Sequence, residues 1–172
     1  MQLTNLSTER LLLRELRLED AEEIFRLRSD ENVNAFLDRQ KAVTIDDARD
    51  FIEKISVFSA RNEGIFWTIT LIGETKLIGA IVFWNIEWEN NKAEIGYELL
   101  PEYQGKGIMT EALKKVIEFG FGKLKFTTIM ADPKEKNEKS IKLLETLGFV
   151  LNGRDGEYLV YRLSSAKAHG NE

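Results

Sequence analysis

The stretch from residue 97 to residue 113 reads YELLPEYQGKGIMTEAL. Its composition is strand-like up to Pro101, turn-like up to Gly107 and helical beyond that point. A helix that starts behind such a turn presents free N–H groups and the positive end of its dipole. Glycine lets the backbone approach a phosphate closely, and Lys106 adds a cation. The stretch therefore predicts an anion site between a strand and a helix.

Two common phosphate-binding motifs do not match this site. The P-loop pattern G-x-x-x-x-G-K-S/T is absent from the chain. In the dinucleotide pattern G-x-G-x-x-G, Gly105 and Gly107 supply two glycines, but Thr110 occupies the third position. From these residues alone, an ordinary strand-to-helix turn remains as good an interpretation as a nucleotide site.

The surrounding pattern predicts an α/β fold with a mixed, mostly antiparallel central sheet flanked by helices. We expect one strand, two helices, a three-stranded meander, and then alternating strands and helices that end in a hairpin. The predicted strands cover residues 11–16, 65–71, 76–84, 92–100, 127–131, 149–154 and 157–163, and the predicted helices cover residues 20–28, 109–123, 137–147 and the segment behind a capping box at 44–47. Asp155 and Gly156 are expected to form the turn of the last hairpin. We expect a single domain over residues 1–172, with its core at about 8–163.

The composition suits an ordinary globular protein, since 43% of the 172 residues are hydrophobic and 31% are charged. A formal net charge of −5 without a dense basic patch argues against nucleic-acid binding. No apolar run approaches the roughly 20 residues of a membrane span, and a signal-peptide pattern is missing, so we expect a cytoplasmic protein that binds no membrane. The absence of cysteine excludes a Cys nucleophile and Cys-ligated zinc, and we expect no catalytic role for the one histidine, His169, in a polar tail.

Three separated motifs resemble the GNAT superfamily of N-acetyltransferases, and within it the ribosomal-protein N-terminal acetyltransferase-like (Rim-type) branch. The superfamily signature Q/R-x-x-G-x-G/A is matched from Gln104 onward, except that Met109 stands at its last position. The second motif is AEIGY at residues 93–97, and the third is NEKSIKLLETLGF at residues 137–149. The opening TERLLLR at residues 8–14 resembles the first strand of the family, so the resemblance spans residues 8–163.

The resemblance implies the acyl-CoA N-acyltransferase fold, with acetyl-CoA as cosubstrate and no metal. It assigns the CoA pyrophosphate to the backbone N–H groups of Gln104, Gly105, Lys106, Gly107, Ile108, Met109 and Thr110. The strand end Leu99-Leu100 would pair with the pantetheine arm as an added strand does, and Asn137 would contact the pantetheine side. A backbone N–H near Leu99 would meet the oxyanion. The acetyl group would lie where the family splays two strands apart, between the strand that ends at Leu100 and the strand at 127–131.

The resemblance also implies direct attack of an amine on the thioester. Many family members protonate the leaving thiolate with a tyrosine seven residues after the asparagine, but that position is Leu144 here, and Ser140 is the candidate instead. The first candidate for the general base is Glu94, followed by Glu98 on the same strand face and Glu157 near the closing hairpin. The same side chains also suit purely structural roles, Ser140 in the first turn of a helix and the glutamates in surface salt bridges.

The predicted acceptor is the N-terminal α-amine of a protein such as a ribosomal protein, because its pKa of about 7.7–8.0 is far below that of lysine. The alternatives are a small amine, such as a polyamine, amino acid or aminoglycoside, and a catalytically inactive CoA-binding regulatory module. The segment 30–41 is the predicted acceptor-side loop, and Trp84 is either core or cleft lining. A homodimer is compatible with the family, but nothing in the sequence indicates one.

Overall fold

The computed structural model describes residues 3–165, and the tail with His169 lies outside that range. Its centre is one eight-stranded sheet with the strand order β1-β2-β3-β4-β5-β6-β8-β7. The strands are β1 (Leu6–Ser7), β2 (Leu11–Arg14), β3 (Ile65–Leu71), β4 (Leu77–Glu87), β5 (Lys92–Leu99), β6 (Thr128–Ala131), β7 (Val150–Asp155) and β8 (Tyr158–Ser164). The helices are α1 (Ala21–Ser29), α2 (Glu31–Asn34), α3 (Ile45–Ala60), α4 (Ile108–Gly122) and α5 (Glu138–Thr146). Neighbouring strands are antiparallel except β5 and β6, so the predicted mixed, mostly antiparallel sheet is confirmed.

Helices pack on both faces of the sheet. Odd-numbered side chains of β5, such as Ile95, are buried in a core shared with α4 and α5. Because side chains alternate along a strand, the even-numbered positions Glu94, Gly96 and Glu98 point to the opposite face. On that side a second, smaller core is built from α1 and α3. We call the side of β5 that carries residues 94, 96 and 98 its α1 face.

The N-terminus of α3 forms the predicted capping box. The Thr44 hydroxyl accepts from the Asp47 N–H at 3.3 Å, and the Asp47 carboxylate accepts from the N–H groups of Thr44 and Val43 at 2.8 Å. The bonds from the Thr44 and Val43 N–H groups lower the pKa of Asp47. The helix runs for 16 residues, and within residues 3–165 no helix is long and apolar enough to cross a membrane.

The segment 30–41 is more ordered than its polar composition indicates. Residues Glu31–Asn34 form the short helix α2, because the Asp30 side chain caps it by accepting from the Val33 N–H at 2.8 Å. Only the part after α2 is irregular.

The turn of the last hairpin lies one residue later than predicted. Asp155 pairs with Tyr158, so the two turn residues are Gly156 and Glu157 rather than Asp155 and Gly156. Gly156 has a φ of +56°, the left-handed conformation that two-residue hairpin turns require at their first position.

A buried ion pair fastens the start of α1 to the sheet. Arg14 donates to the Asp20 carboxylate through both terminal nitrogens, at 2.7 and 2.9 Å, and the side chains are only 8% and 6% exposed. Arg14 also donates to the Thr75 carbonyl at 2.8 Å, and Asp20 accepts from the Arg17 N–H at 2.8 Å. The pair thereby joins the end of β2, the entry to α1 and the β3–β4 connection.

Candidate active site

The sheet opens between β5 and β6. These parallel strands pair only from Lys92 and Thr128 to Glu94 and Met130. β6 ends at Ala131, whereas β5 continues to Leu99. Beyond Glu94, the edge of β5 that faces β6 has no described strand beside it. Such an open edge can take an extended ligand as an added strand.

A glycine-containing loop follows β5 and starts α4. Gly105 and Gly107 have φ angles of +72° and +74°, which side-chain-bearing residues rarely adopt. A Cβ on Gly105 would meet nothing within 4 Å, so this part of the loop faces open space. Gly107 is the N-cap of α4 and turns the first N–H groups of the helix outward.

The N–H groups of this loop are free to bind an anion. Within residues 3–165, the backbone N–H groups from Gly105 to Thr110 donate to no protein acceptor. The Gln104 N–H is engaged by the Pro101 carbonyl at 3.1 Å, and the Gln104 side chain donates to the Leu99 carbonyl at 2.9 Å. The cradle of free N–H groups therefore begins at Gly105, and it suits a pyrophosphate.

The connection between β1 and β2 holds the loop from outside. The Arg10 guanidinium donates to the Lys106 carbonyl at 3.0 Å and pairs with Glu111 at 2.6 Å. Thr8 also donates to Glu111, at 2.5 Å. Burial alone would raise the pKa of Glu111, but the bonds from Thr8 and Arg10 lower it, so this carboxylate stays charged. The ionic contact fixes the loop relative to the sheet.

The strand end Leu99-Leu100 reaches the loop with part of its main chain engaged. The Leu99 carbonyl accepts from Gln104, and the Leu100 N–H donates to the Ile78 carbonyl at 2.9 Å. The Leu100 carbonyl also accepts from the Tyr103 N–H at 3.0 Å. Pairing with a pantetheine arm therefore stays a prediction for the Leu99 N–H.

A pair of hydroxyl groups lies beside the opening, on the side of α4 and α5. The Tyr97 and Ser140 oxygens are 2.5 Å apart, and either hydroxyl can donate. Burial raises the pKa of Tyr97 to about 12, although the bond with Ser140 acts the other way. Asn137 caps α5 by accepting from the Ser140 N–H at 3.3 Å. Leu144 of α5 lies in the core and supplies no hydroxyl. The tyrosine hydroxyl near Ser140 belongs to Tyr97 of β5.

Glu94 marks the point where β5 and β6 part. Its carboxylate accepts from the Asn85 side-chain amide at 2.7 Å. Asn85 has a φ of +46° and lies where the register of β4 and β5 shifts. This bulge directs an amide at Glu94, and within residues 3–165 no cation forms a salt bridge with the carboxylate.

The other two candidate bases are already paired with cations. Glu98 binds Arg39 at 2.5 Å, and its side chain is only 9% exposed. Glu157 binds Lys134 at 2.8 Å in the β7–β8 turn and is 64% exposed. Of the three predicted carboxylates, Glu94 is the one that is free to accept a proton from a ligand.

Sequence reasoning missed a fourth carboxylate, Asp132. It lies two residues beyond Met130, the partner of Glu94, and therefore on the α1 face close to Glu94. Asp132 is exposed, but partial desolvation raises its pKa, and the charges of Glu94 and Asp155 raise it further against the opposing charge of Lys92. Among residues 3–165, Asp132 has no hydrogen-bond or ion-pair partner. Only the register of β5 and β6 brings it to the opening.

The segment after α2, residues 35–41, contacts both β5 and the residues that follow β6. Asp38 accepts from Lys134, which follows β6, at 2.5 Å and also from the Tyr158 hydroxyl on β8. The next residue, Arg39, holds Glu98 on β5. The predicted acceptor-side loop therefore bridges the two strands that diverge.

The aromatic residues of the meander divide between core and cleft. Trp67 and Phe83 are fully buried, whereas Trp84 is 46% exposed. Trp84 pairs with Glu94 across β4 and β5, so both side chains lie on the α1 face. A Cβ on Gly96 would come within 3.9 Å of the Trp84 ring nitrogen, which makes Gly96 and Trp84 neighbours on this surface.

Proteins of known family match most of the chain. A family model described as an acetyltransferase (GNAT) domain matches residues 10–150. The chain is 36% identical over 153 residues to the uncharacterized N-acetyltransferase p20 of Bacillus licheniformis. The aligned residues cover 89% of this chain and 86% of that protein. A crystal structure of a GNAT-family acetyltransferase from Bacillus anthracis superposes with a TM-score of 0.80 at 26% identity, over 94% of this chain and 98% of that one.

The names of two further relatives point to different acceptors. YdaF of Bacillus subtilis, provisionally named a ribosomal N-acetyltransferase, is 38% identical over 91 residues, which is 52% of this chain and 50% of that protein. Spermidine N(1)-acetyltransferase of Escherichia coli (strain K12) is 33% identical over 75 residues, 44% of this chain and 40% of that protein. The acceptor differs between these relatives, but the reaction type does not. The chain therefore belongs to the GNAT family, and it is an acetyl-CoA-dependent N-acetyltransferase.

Proposed function

We propose that this enzyme acetylates the N-terminal α-amine of a protein by direct attack of the amine on acetyl-CoA. The observation that carries the proposal is the opening between β5 and β6, which lies beside a loop of free N–H groups. It begins at Glu94, whose carboxylate accepts from Asn85 but forms no salt bridge within residues 3–165. This arrangement offers one place for an extended cosubstrate and one for an amine. Glu94 lies where the two would meet.

The cosubstrate would be held by main-chain groups more than by side chains. The N–H groups from Gly105 to Thr110 suit its pyrophosphate, with Lys106 as an additional cation. The open edge of β5 up to Leu99 suits the pantetheine arm, whereas the Leu100 N–H is taken by the Ile78 carbonyl. Asn137 lies at the start of α5. Acetyl-CoA supplies the activated acetyl group, and the chain orients it.

Replacing Gly107 by alanine is expected to weaken acetyl-CoA binding about fivefold to thirtyfold. A side chain in the left-handed conformation costs about 1–2 kcal/mol, so the loop relaxes and binding must restore the strained form. Isothermal titration with acetyl-CoA measures the effect. Gly122→Ala at the other end of α4 is the matched control, because its Cβ meets nothing within 4 Å. Equal affinities of the two variants would contradict the assignment of the loop.

The proton of the attacking amine would pass to Glu94, directly or through water. Asp132 lies on the same face and adds negative charge beside Glu94. The two carboxylates favour the approach of an ammonium group, and Glu94 then accepts its proton. A main-chain N–H on the open edge of β5 near Leu99 would stabilise the oxyanion that forms during attack.

Ser140 would donate a proton to the departing thiolate, with Tyr97 as the group behind it. Because burial raises the pKa of Tyr97 to about 12, well above that of a thiol, the phenol keeps its proton and would support Ser140 by donating a hydrogen bond to its hydroxyl. A thiolate leaves easily, since thiols have pKa values of about 8.5. Protonation therefore helps the reaction but does not decide it.

Ser140→Ala and Tyr97→Phe are each expected to lower kcat by about tenfold, below the usual range for acid catalysis, because the leaving group is good. The double variant should lose little more than either single one, since the two hydroxyls act as a unit. Stopped-flow or steady-state thiol release measures kcat, and titration should find acetyl-CoA affinity unchanged. Ser29→Ala is the control, because its hydroxyl bonds within its own helix. Independent, multiplied losses would argue against a shared proton path.

An α-amine fits the carboxylates of this site better than a lysine side chain does. At pH 7 about a tenth of an α-amine is neutral, against less than a thousandth of a lysine amine, as their pKa values imply. A partly exposed glutamate is a sufficient base for the first but a weak one for the second. The provisional name of the relative YdaF, a ribosomal N-acetyltransferase, supports a protein acceptor.

The test is thiol release from acetyl-CoA with a panel of amines. The panel contains peptides with free N-terminal Ser, Ala and Met, spermidine, free amino acids and an aminoglycoside. Release with peptides, and little with the other amines, supports the proposal. Release with spermidine alone would instead favour a small-amine acceptor, as the name of the relative spermidine N(1)-acetyltransferase indicates. Tight acetyl-CoA binding without release from any amine would indicate a catalytically inactive CoA-binding module.

A further inference from the structure

Arg39 is one arginine near the opening, and it is paired with Glu98. A second one, Arg28, has no acidic partner within residues 3–165. Arg28 on α1 is partly buried, and its guanidinium carbon lies 3.9 Å from the centre of the Phe51 ring. Within residues 3–165, no carboxylate forms a salt bridge with Arg28, and none of its guanidinium N–H groups donates to a protein acceptor. The same part of the chain contains no buried side-chain nitrogen or oxygen without a hydrogen bond, so these N–H groups reach solvent.

The charges around Arg28 leave a positive surplus. Burial lowers the pKa of Arg28, the charge of Arg39 lowers it further, and Glu98 acts in the opposite direction. Glu98 is already bound by Arg39, whose other side-chain contact is the Asn34 amide oxygen at 2.7 Å. Two guanidinium groups therefore lie near one carboxylate, Glu98, which forms a salt bridge with Arg39 only. A partly buried cation in this position gains most from an anion that arrives with a ligand.

This positive surplus lies on the side of β5 where the amine would attack. Glu98 is on the α1 face together with Gly96 and Glu94. The strand rises about 3.3 Å per residue, so Glu98 lies roughly 7 Å from Gly96 and roughly 13 Å from Glu94. The Phe51 ring covers one face of the Arg28 guanidinium and leaves its edge for a planar anion.

We propose that Arg28 binds a carboxylate of the acceptor, so that the preferred substrate is an amine with an acidic group a few bonds from its nitrogen. The inference rests on the proposed function and refines its acceptor class. Two sources offer this chemistry, a protein N-terminus with Asp or Glu among its first residues and a free amino acid. A polyamine carries the wrong charge for Arg28.

The experiment compares kcat/KM for matched acceptors. The pairs are C-terminally amidated peptides that begin Ser-Glu or Ser-Gln, and free alanine and its amide, with spermidine as a cationic acceptor. We expect the acidic member of a pair to be preferred about tenfold to a hundredfold, as one charge-assisted hydrogen-bonded pair provides. Preference within the peptides assigns a protein N-terminus, and preference only within the amino acids assigns a small substrate.

Arg28→Gln should abolish this preference while the affinity for acetyl-CoA stays unchanged. Arg28→Lys should retain only part of it, because lysine keeps the charge but not the planar fork. Arg49→Gln is the matched control, since it removes an exposed arginine of α3 that pairs with Asp46. Should Arg28→Gln fail to fold, the wild-type comparison and Arg28→Lys still decide the question.

Wild-type enzyme that acetylates both members of each pair equally would overturn the proposal. A preference that survives in Arg28→Gln would overturn it as well. Both results leave the proposed function intact, because thiol release from acetyl-CoA still depends on an amine. Failure of every amine to release thiol would instead count against the proposed function itself.

Discussion

Glu94→Gln is expected to lower kcat/KM about a hundredfold at pH 7, within the usual range for loss of a general base. Glutamine keeps the shape of the side chain and its contact with Asn85 but cannot accept a proton. Steady-state thiol release with the best acceptor of the panel measures the loss. Acetyl-CoA affinity, measured separately by titration, should stay close to the wild-type value.

The pH dependence separates a lost base from a damaged site. An α-amine with a pKa of about 7.7–8.0 is mostly neutral at pH 9 and then needs no base. The defect of Glu94→Gln should therefore shrink between pH 7 and pH 9, whereas a structural defect would persist. Asp132→Asn tests the second carboxylate and should cost less, because Asp132 acts on Glu94 through charge. A larger loss in Glu157→Gln than in Glu94→Gln would contradict this assignment, since Glu157 is paired with Lys134.

Asp20→Ala is expected to reduce the free energy of unfolding by about 3–5 kcal/mol. The change leaves the buried Arg14 guanidinium without its carboxylate, and breaking one half of a buried ion pair costs about this much. It also removes the acceptor of the Arg17 N–H. Urea denaturation followed by circular dichroism measures the loss, as a lower midpoint at an unchanged slope.

The control for this prediction is Asp46→Ala. Asp46 pairs with Arg49 on the surface of α3, where the side chains are 77% and 53% exposed. Exposed pairs contribute about 0–1 kcal/mol, so the control should shift the midpoint little. Equal losses in Asp20→Ala and Asp46→Ala would mean that the Arg14–Asp20 pair contributes no more than an exposed pair.

Features that one segment determines by itself could be predicted from the sequence. The capping box of α3 needs only Thr44 and Asp47, which are three residues apart. The composition alone predicted a turn up to Gly107 and a helix behind it, and Gly105 and Gly107 lie in that turn with left-handed conformations. The alternation of β5 follows from its buried side chains at every second residue. These local rules were enough to predict the sheet class and the position of the glycine-containing turn between β5 and α4.

Features that depend on packing between distant segments could not be predicted. Tyr97 and Ser140 are 43 residues apart, and their contact depends on how α5 lies against β5. Asp132 reaches the opening only because β5 and β6 pair in one particular register. The turn of the last hairpin lies one residue later than predicted. The composition allowed a turn at Asp155-Gly156 or at Gly156-Glu157, and the pairing of Asp155 with Tyr158 selects the second.

The short pairing of β5 with β6 has a consequence for the lifetime of the protein. It joins a five-stranded part of the sheet to a three-stranded part through three residue pairs, from Lys92↔Thr128 to Glu94↔Met130. Acetyl-CoA bound in the gap beyond Glu94, as proposed above, would add contacts to both parts, and a ligand that binds only the folded state stabilises it. The supply of acetyl-CoA in the cell would then set how long the folded enzyme survives proteolysis, in addition to how fast it turns over.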